Sequence, residues 1–564
     1  MNIRRRLAAL LIAPALFGAA APPAPPAAPV QVAWFRYTGD DATLARAGQG
    51  NYANPILPGF YPDPSIIRVG AWFYLVNSTF AYFPGLPVFR SRDLVHWTQI
   101  GNAIDRPEQL DLTGRGVSEG LFAPALHHAG DRFYIINTCV GCGGTFIVTA
   151  HDPAGRWSDP VWIRDVGGID PSLFTDEDGT TWLVNNDAPA GKLLYEGHRA
   201  IWIRRFDLAT MKTVGPARVI VDGGVDIATK PAWTEGPHLF RHDGHYYLMT
   251  AEGGTSVNHS ETVYRADRPD GPFVPLHRPI LTQRDLPADR PNPIGSAGHA
   301  QLVDTPSGDW WAVFLATRPY AGDFYNTGRE TFLLRARWQD GWPIITRPGE
   351  TIPYAAPAPA LPRGAPGPFP ISGNFTLRDD FHAATLAPYW LTVRTPHERW
   401  WRTGADGLAL TPRPDRIGER GQPSFLGRRQ QHRHAEASAE IRADVLAPGG
   451  KAGLVAYQNE AHYYLIALMQ DRGMRRIRVE RRAGEGDPVD GMVLASAPLP
   501  AGAGTGRAPL RLRIVADDGR YAFDYAVKGG GWTRLLANAD GTVLSTAKAG
   551  GFVGTTMGPY AYTP

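Results

Sequence analysis

Asp170-Pro-Ser-Leu173, a turn that closes on Gly179, and the run Thr180-Thr-Trp-Leu-Val184 make up a phrase that the chain uses five times. The copy at Asp63 reads Asp-Pro-Ser-Ile, then Gly70-Ala-Trp-Phe-Tyr-Leu-Val, and the copy at Ala123 reads Ala-Pro-Ala-Leu, then Gly130-Asp-Arg-Phe-Tyr-Ile-Ile. Glu235-Gly-Pro-His-Leu is followed by Gly244-His-Tyr-Tyr-Leu-Met, and His299-Ala-Gln-Leu by Gly308-Asp-Trp-Trp-Ala-Val. The first residues of the five copies are 60, 47, 65 and 64 positions apart. A short strand, a glycine turn and an aromatic strand recurring at such a period are the signature of a β-propeller blade. Blades pack radially with their innermost strands along the central channel. The five opening residues, Asp63, Ala123, Asp170, Glu235 and His299, are therefore expected at one mouth. Three carboxylates and an imidazole gathered there are costly, because like charges in a partly desolvated pocket raise one another's pKa. Scattered surface acids would not recur at one phase of a repeat.

Composition agrees with a folded, β-rich chain. Of 564 residues 43% are hydrophobic and 20% charged, which excludes global disorder. A net charge of +3 is too balanced for a nucleic-acid binder or a polybasic membrane binder. Aromatic residues at 11%, with 63 Gly and 51 Pro, indicate many turns and a stacking surface of the kind carbohydrate binders use. At the N-terminus Arg4-Arg5-Arg6 precedes the apolar run Leu7 to Phe17 and Gly18-Ala-Ala-Ala21. That order is an export signal, and the apolar run is short of the ~20 residues that span a bilayer. Residues 1–21 are read as the signal and 22–50 as a Pro/Ala-rich spacer and N-terminal extension. The mature chain is expected in the periplasm or secreted, with no membrane attachment after cleavage. Cys139 and Cys142 are the two cysteines. With no thioredoxin-like unit around them, they are read as a loop-stapling disulfide of an oxidising compartment rather than a redox pair, and two cysteines cannot close a zinc site alone.

The chain divides further at Tyr354-Ala-Ala-Pro-Ala-Pro and Pro366-Gly-Pro-Phe-Pro370, so 51–353 is read as the propeller and 354–376 as a Pro-rich linker. Beyond it, Ala435-Glu-Ala-Ser-Ala-Glu-Ile441, Ala452-Gly-Leu-Val-Ala-Tyr457 and Leu510-Arg-Leu-Arg-Ile-Val515 are short strands with no long helical period among them. Residues 377–564 are thus a β-sandwich, and the whole chain is all-β: a five-bladed propeller followed by a concanavalin- or jelly-roll-like sandwich. The basic run Arg428-Arg-Gln-Gln-His-Arg-His434 is expected to form a solvated face.

Several words of the propeller region resemble glycoside hydrolase family 43, which includes β-xylosidases and α-L-arabinofuranosidases. They are Pro58-Gly-Phe-Tyr-Pro-Asp63-Pro-Ser, Gly168-Ile-Asp170-Pro-Ser, Thr234-Glu235-Gly-Pro-His238, Ala251-Glu-Gly-Gly-Thr255, Gly298-His299-Ala and Gly328-Arg329-Glu-Thr-Phe332. The resemblance implies Asp63 as general base, Glu235 as general acid and Asp170 as the residue that tunes and orients Glu235. It makes Arg329 a contact to sugar hydroxyls and Phe80, in Ser78-Thr-Phe80-Ala-Tyr82-Phe83, the ring that packs on the bound pentose. Phe122 stands where relatives usually carry Trp, so the aromatic wall has a different width. His299 matches an axial histidine that in some members binds calcium through water; no cofactor is required, and a structural calcium near His299 is an open alternative to a hydrogen-bonding core histidine. The segment Asn185 to Ala200, with Glu196, His198 and Arg199, either rims the pocket or forms a solvated cluster. In relatives a loop of the sandwich plugs one side of the pocket, and Phe425 is a candidate for that part here.

The residue types suit the chemistry independently. Inverting hydrolysis needs one carboxylate to activate water and one carboxylic acid to protonate the leaving oxygen. By the resemblance, the first reading is an exported enzyme that removes terminal β-D-xylosyl residues from xylo-oligosaccharides, with arabinose-substituted oligosaccharides as the other expected substrates. Alternatives are an α-L-arabinofuranosidase or bifunctional enzyme, an endo-arabinanase and, outside enzymes, a propeller lectin.

Overall fold

A computed structural model describes residues 28–45 and 47–564; the expected export signal, residues 1–21, lies outside the described residues. Five antiparallel units, three of four strands and two of five, follow one another along the chain. The first is Ser65–Val69, Trp72–Val76, Gly85–Ser91 and Thr98–Ile104. The inner strands of the others are Ala125–Ala129, Ile169–Thr175, Glu235–His242 and Gly295–Asp304, and neighbouring inner strands touch around a closed ring. Each phrase found in the sequence is the inner strand, turn and second strand of one blade. In the first blade Val69 pairs with Trp72 across Gly70-Ala71, and Gly70 takes φ 60°, the left-handed value a two-residue hairpin turn requires.

Chain segments outside the blades close the ring. Asn51–Ala53 pairs with Ala355–Pro357, and Leu57 exchanges backbone hydrogen bonds of 3.2 Å with Thr331 of the last blade. The Pro-rich stretch 354–376 therefore opens with a strand rather than a free linker.

The sandwich consists of an eight-stranded and a seven-stranded sheet packed over Phe35, Trp390, Leu454, Ile466, Leu512 and Phe523. Here the expected spacer over 22–50 needs correction. Val30–Gly39 is a strand inside the eight-stranded sheet, paired with Gly407–Leu410, His434–Arg442 and Phe375–Asp379. Val30, Val32, Phe35 and Tyr37 are buried in the sandwich core, each side chain of that size contributing roughly 1.5–3 kcal/mol. The alternating, β-branched and aromatic character of that stretch was masked by the Pro/Ala run before it.

The basic run at 428–434 is also corrected. Arg428, Arg429, Gln430, Gln431 and His432 are buried between propeller and sandwich. The Arg429 guanidinium lies over Phe60 at 4.5 Å and Tyr61 at 4.2 Å, and its Nε donates to the Phe60 carbonyl at 2.8 Å. Gln431 donates to the carbonyls of Pro58 (3.0 Å) and Ile371 (2.8 Å). Arginine planes stack on aromatic faces in a way that strand alternation alone does not reveal.

Candidate active site

At the mouth of the ring the inner strands bend. Asp63, Asp170 and His299 adopt left-handed backbone angles (φ 50°, 53° and 52°), and the pairing register breaks between Ile169 and Ser172, Glu235 and His238, and Gly298 and Gln301. Left-handed conformations cost non-glycine residues on the order of 1–3 kcal/mol and recur at functional sites. Bulges re-aim side chains that a regular ladder would send to a blade face. Here they turn the opening residue of each phrase into the channel mouth.

The result is a cavity of about 430 Å³. Asp63, Asp170, Glu235, His299 and Arg329 line it, together with Ala123, Phe80 and Phe122. Every residue expected at the mouth is there. Asp63 is buried and doubly bonded: Ser78 Oγ donates to Oδ2 at 2.5 Å and Arg329 Nη1 to Oδ1 at 3.0 Å. His299 Nδ1 stands 3.9 Å from Asp63 Oδ1. Asp170 Oδ2 accepts the Gly236 N–H at 3.0 Å, which ties it to the backbone next to Glu235.

Burial raises the Asp170 carboxyl; His299 opposes that rise and Asp63 adds to it. Burial pushes Glu235 well above the usual carboxylate range, and the Asp170 and Asp63 charges push it further, against Arg329 and Arg199. Burial thus favours the protonated form of Glu235, in the same cavity as an Asp63 carboxyl fastened to an arginine.

Among the lining residues that the sequence reading missed or left open are Phe552, Trp233, Arg199 and Thr255. Phe552 reaches in from the sandwich, its ring stacked on Phe80 at 5.7 Å and edge-on to Phe122 at 5.7 Å. Its N–H donates to Ser118 Oγ at 2.9 Å, and the Arg329 guanidinium carbon lies 5.3 Å from its ring. Phe425 is not this plug: it is fully buried among Phe60, Tyr82 and Tyr457 between the domains. Trp233, two residues before Glu235, is an exposed aromatic at the rim, with Arg199 5.0 Å over its ring. Arg199 therefore belongs to the pocket, held by Asn186 Oδ1 at 2.8 Å, whereas His198 is buried against Asp222 and Glu196 is exposed. Thr255 completes the wall, its Oγ1 3.4 Å from Arg329 Nη1.

A hard cation near His299 would want about six to eight oxygen ligands. The groups around this imidazole are the carboxyl groups of Asp63 and Asp170 and the rings of His238 and His259, well short of that number of oxygens. Among the described residues no cluster of three or more His, Cys, Asp or Glu is arranged as a metal site. The residues present do not fit a protein-caged ion, and no step below runs through one. Cys139 and Cys142 are bonded to each other.

Three carboxyl groups lining one cavity at the axis of a five-bladed propeller, with burial favouring a proton on Glu235 and an arginine on Asp63, are the equipment of a glycosidase. The chain belongs to glycosyl hydrolases family 43: residues 52–343 match that family, and residues 378–564 match the β-xylosidase C-terminal concanavalin A-like domain. A xylosidase/arabinosidase of Butyrivibrio fibrisolvens is 37% identical over 516 residues, covering 90% of this chain and 95% of its own. A non-reducing-end α-L-arabinofuranosidase of Bacteroides ovatus is 36% identical over 532 residues, covering 91% and 92%. The crystal structure of a family 43, subfamily 12 protein from a capybara gut metagenome superposes with a TM-score of 0.86 at 38% identity, over 95% of this chain and 100% of that one.

Proposed function

We propose that the chain removes terminal β-D-xylosyl residues from xylo-oligosaccharides in a single displacement with inversion. The observation that carries this reading is the opposed pair: Glu235, raised by burial and by Asp170, faces the same cavity as Asp63, bonded to Ser78 and Arg329. In the reaction Asp63 takes a proton from water, whose oxygen attacks the anomeric carbon. The glycosidic C–O bond breaks as Glu235 gives its proton to the leaving oxygen. Asp63 ends protonated and Glu235 ionised, and exchange with solvent restores both. Asp170 acts through Glu235, keeping its proton in place. Arg329 is positioned for sugar hydroxyls.

Exo action follows from the sandwich. Phe552 closes the pocket between Phe80 and Phe122, leaving room for a chain end rather than a passing polymer. The B. ovatus relative favours a second reading at the same site, cleavage of terminal α-L-arabinofuranosyl groups. Export to the periplasm or medium rests on the Arg4–Ala21 segment and is compatible with the Cys139–Cys142 disulfide.

The roles are tested with Glu235→Ala on two substrates. Nitrophenyl β-xyloside, whose leaving group needs little protonation, is expected to lose less than about tenfold in kcat/KM, and xylobiose about 1,000-fold. Equal losses would remove the acid assignment. Wild-type rates on nitrophenyl β-xyloside and α-L-arabinofuranoside decide between the two sugars.

A further inference from the structure

We propose that Arg199 and Trp233 are the specificity-determining residues for the sugar that departs: a guanidinium and an indole read the second ring of the substrate, next to the acid Glu235. This rests on the hydrolysis proposed above and concerns the part of the substrate beyond the bond that breaks.

The lining residues of the cavity fall into two groups by contact. Phe80, Phe122 and Phe552 pack on one another at 5.4 to 5.7 Å, and Arg329, which bonds Asp63, lies over Phe80 and Phe552. These rings enclose the terminal sugar on the side of the base. Arg199 and Trp233 form the second group, lining the same cavity with the guanidinium 5.0 Å over an indole that is 43% exposed. Trp233 is joined to Glu235 through Thr234, and the Arg199 charge acts on the Glu235 carboxyl. Glu235 gives its proton to the leaving oxygen, so the group standing beside it meets the departing ring.

Both side chains are held in place. Arg199 Nε donates at 2.8 Å to Oδ1 of Asn186, a fully buried amide whose residue pairs in register with Ile169, next to Asp170. The strand pair that delivers Asp170 therefore also carries the bracket for Arg199. Nη1 and Nη2 of Arg199 meet no acceptor and form no ion pair among the described residues. Trp233 takes φ 54°, a left-handed angle that a bulky side chain adopts only at a cost. Its N–H donates to the Gly197 carbonyl at 2.9 Å, and the Ala232 carbonyl accepts the Gly253 N–H at 2.8 Å. Three chain segments are thus tied together around this pair. An exposed indole in a costly conformation and an arginine with a free fork contribute little to the fold. They suit a sugar ring, whose C–H face packs on an aromatic plane and whose hydroxyl oxygens accept from guanidinium N–H groups. An alkyl leaving group uses neither.

The test compares xylobiose with methyl β-D-xyloside, which carries the same terminal sugar and no second ring. Trp233→Ala and Arg199→Met are each expected to cost xylobiose about tenfold more in kcat/KM than they cost methyl β-xyloside. Trp233→Phe is expected to recover most of the loss. Equal losses on the two substrates, or no loss on either, overturn the proposal. Because the Arg199 charge opposes the proton on Glu235, Arg199→Met is also expected to move the alkaline limb of methyl β-xyloside hydrolysis to higher pH. An unmoved limb takes Arg199 away from the leaving oxygen and overturns its part. A wild type that leaves xylobiose intact defeats the xylosidase reading but not this one. The same ratio is then taken between α-1,5-linked arabinobiose and methyl α-L-arabinofuranoside, where equal losses again overturn it.

Discussion

The last blade takes part in two buried clusters built from the same residue types. At the mouth, Arg329 meets Asp63, while Asp170 and Glu235 share the cavity without an arginine of their own. Behind it, Arg318 binds Glu330 through both Nε (2.6 Å) and Nη2 (2.9 Å) and Asp41 through Nη1 (2.8 Å). In the second cluster the remaining acceptor sites are filled by the Gly59 N–H on Glu330 and by Thr43 on Asp41. Asp41 belongs to the N-terminal segment, and Arg318 also donates to the Gln431 carbonyl of the sandwich, so this cluster joins three parts of the chain. Complete pairing makes a clamp. Incomplete pairing at the mouth, where carboxylates outnumber guanidinium groups, leaves Glu235 with a proton it can give away.

Asp63→Ala attacks the mouth most severely and is expected to lower kcat/KM on every glycoside by about 10,000-fold, at the upper end of what a general base supplies. A residual rate near wild type on activated substrates would show that Asp63 does not activate the water. Arg318→Met strikes the clamp instead. It strands Glu330 and Asp41 as buried charges and is expected to destabilise the fold by about 3–5 kcal/mol, read by urea or thermal unfolding. The pH profile of whatever protein remains folded should keep its shape, and a shifted profile would mean the two clusters are not separate.

Phe552→Ala removes the ring that the sandwich lends to the mouth. A roughly tenfold rise in KM for xylobiose with little change in kcat is expected, because stacked aromatic contacts are worth ~0.5–1.5 kcal/mol beyond their area. No change in KM would show that the sandwich does not shape the substrate site. The smallest effect is expected from Asp170→Asn on the pH profile. Glu235 works as an acid only while protonated, so its pKa sets the alkaline limb. Asp170 raises that pKa, and loss of its charge moves the limb to lower pH. A limb that stays or moves upward would remove Asp170 from its tuning role.

Much of the mouth was legible in the sequence because it is carried by a repeat. Each of the five phrases starts one inner strand, so the phase of Asp63, Asp170, Glu235 and His299 could be read directly. Phe552 could not, since no local pattern ties residue 552 to residue 80; only the docked sandwich brings them together. Trp233 left a usable sign, a large aromatic beside the acid in a segment with no strand periodicity. The seam was the least legible region. Arg428 to His432 has the composition of a surface, and its burial depends on the rings of Tyr37, Phe60, Tyr61 and Tyr389, contributed from far along the chain. Val30–Gly39 shows the same limit, since a strand's membership in a sheet depends on partners more than 330 positions away.

The account turns on water attacking from the side of Asp63 while Glu235 protonates the leaving oxygen. Proton NMR of the first sugar released from a β-xyloside, recorded before mutarotation, tests this directly. The account predicts α-xylose as the initial product; β-xylose would mean net retention and would contradict it.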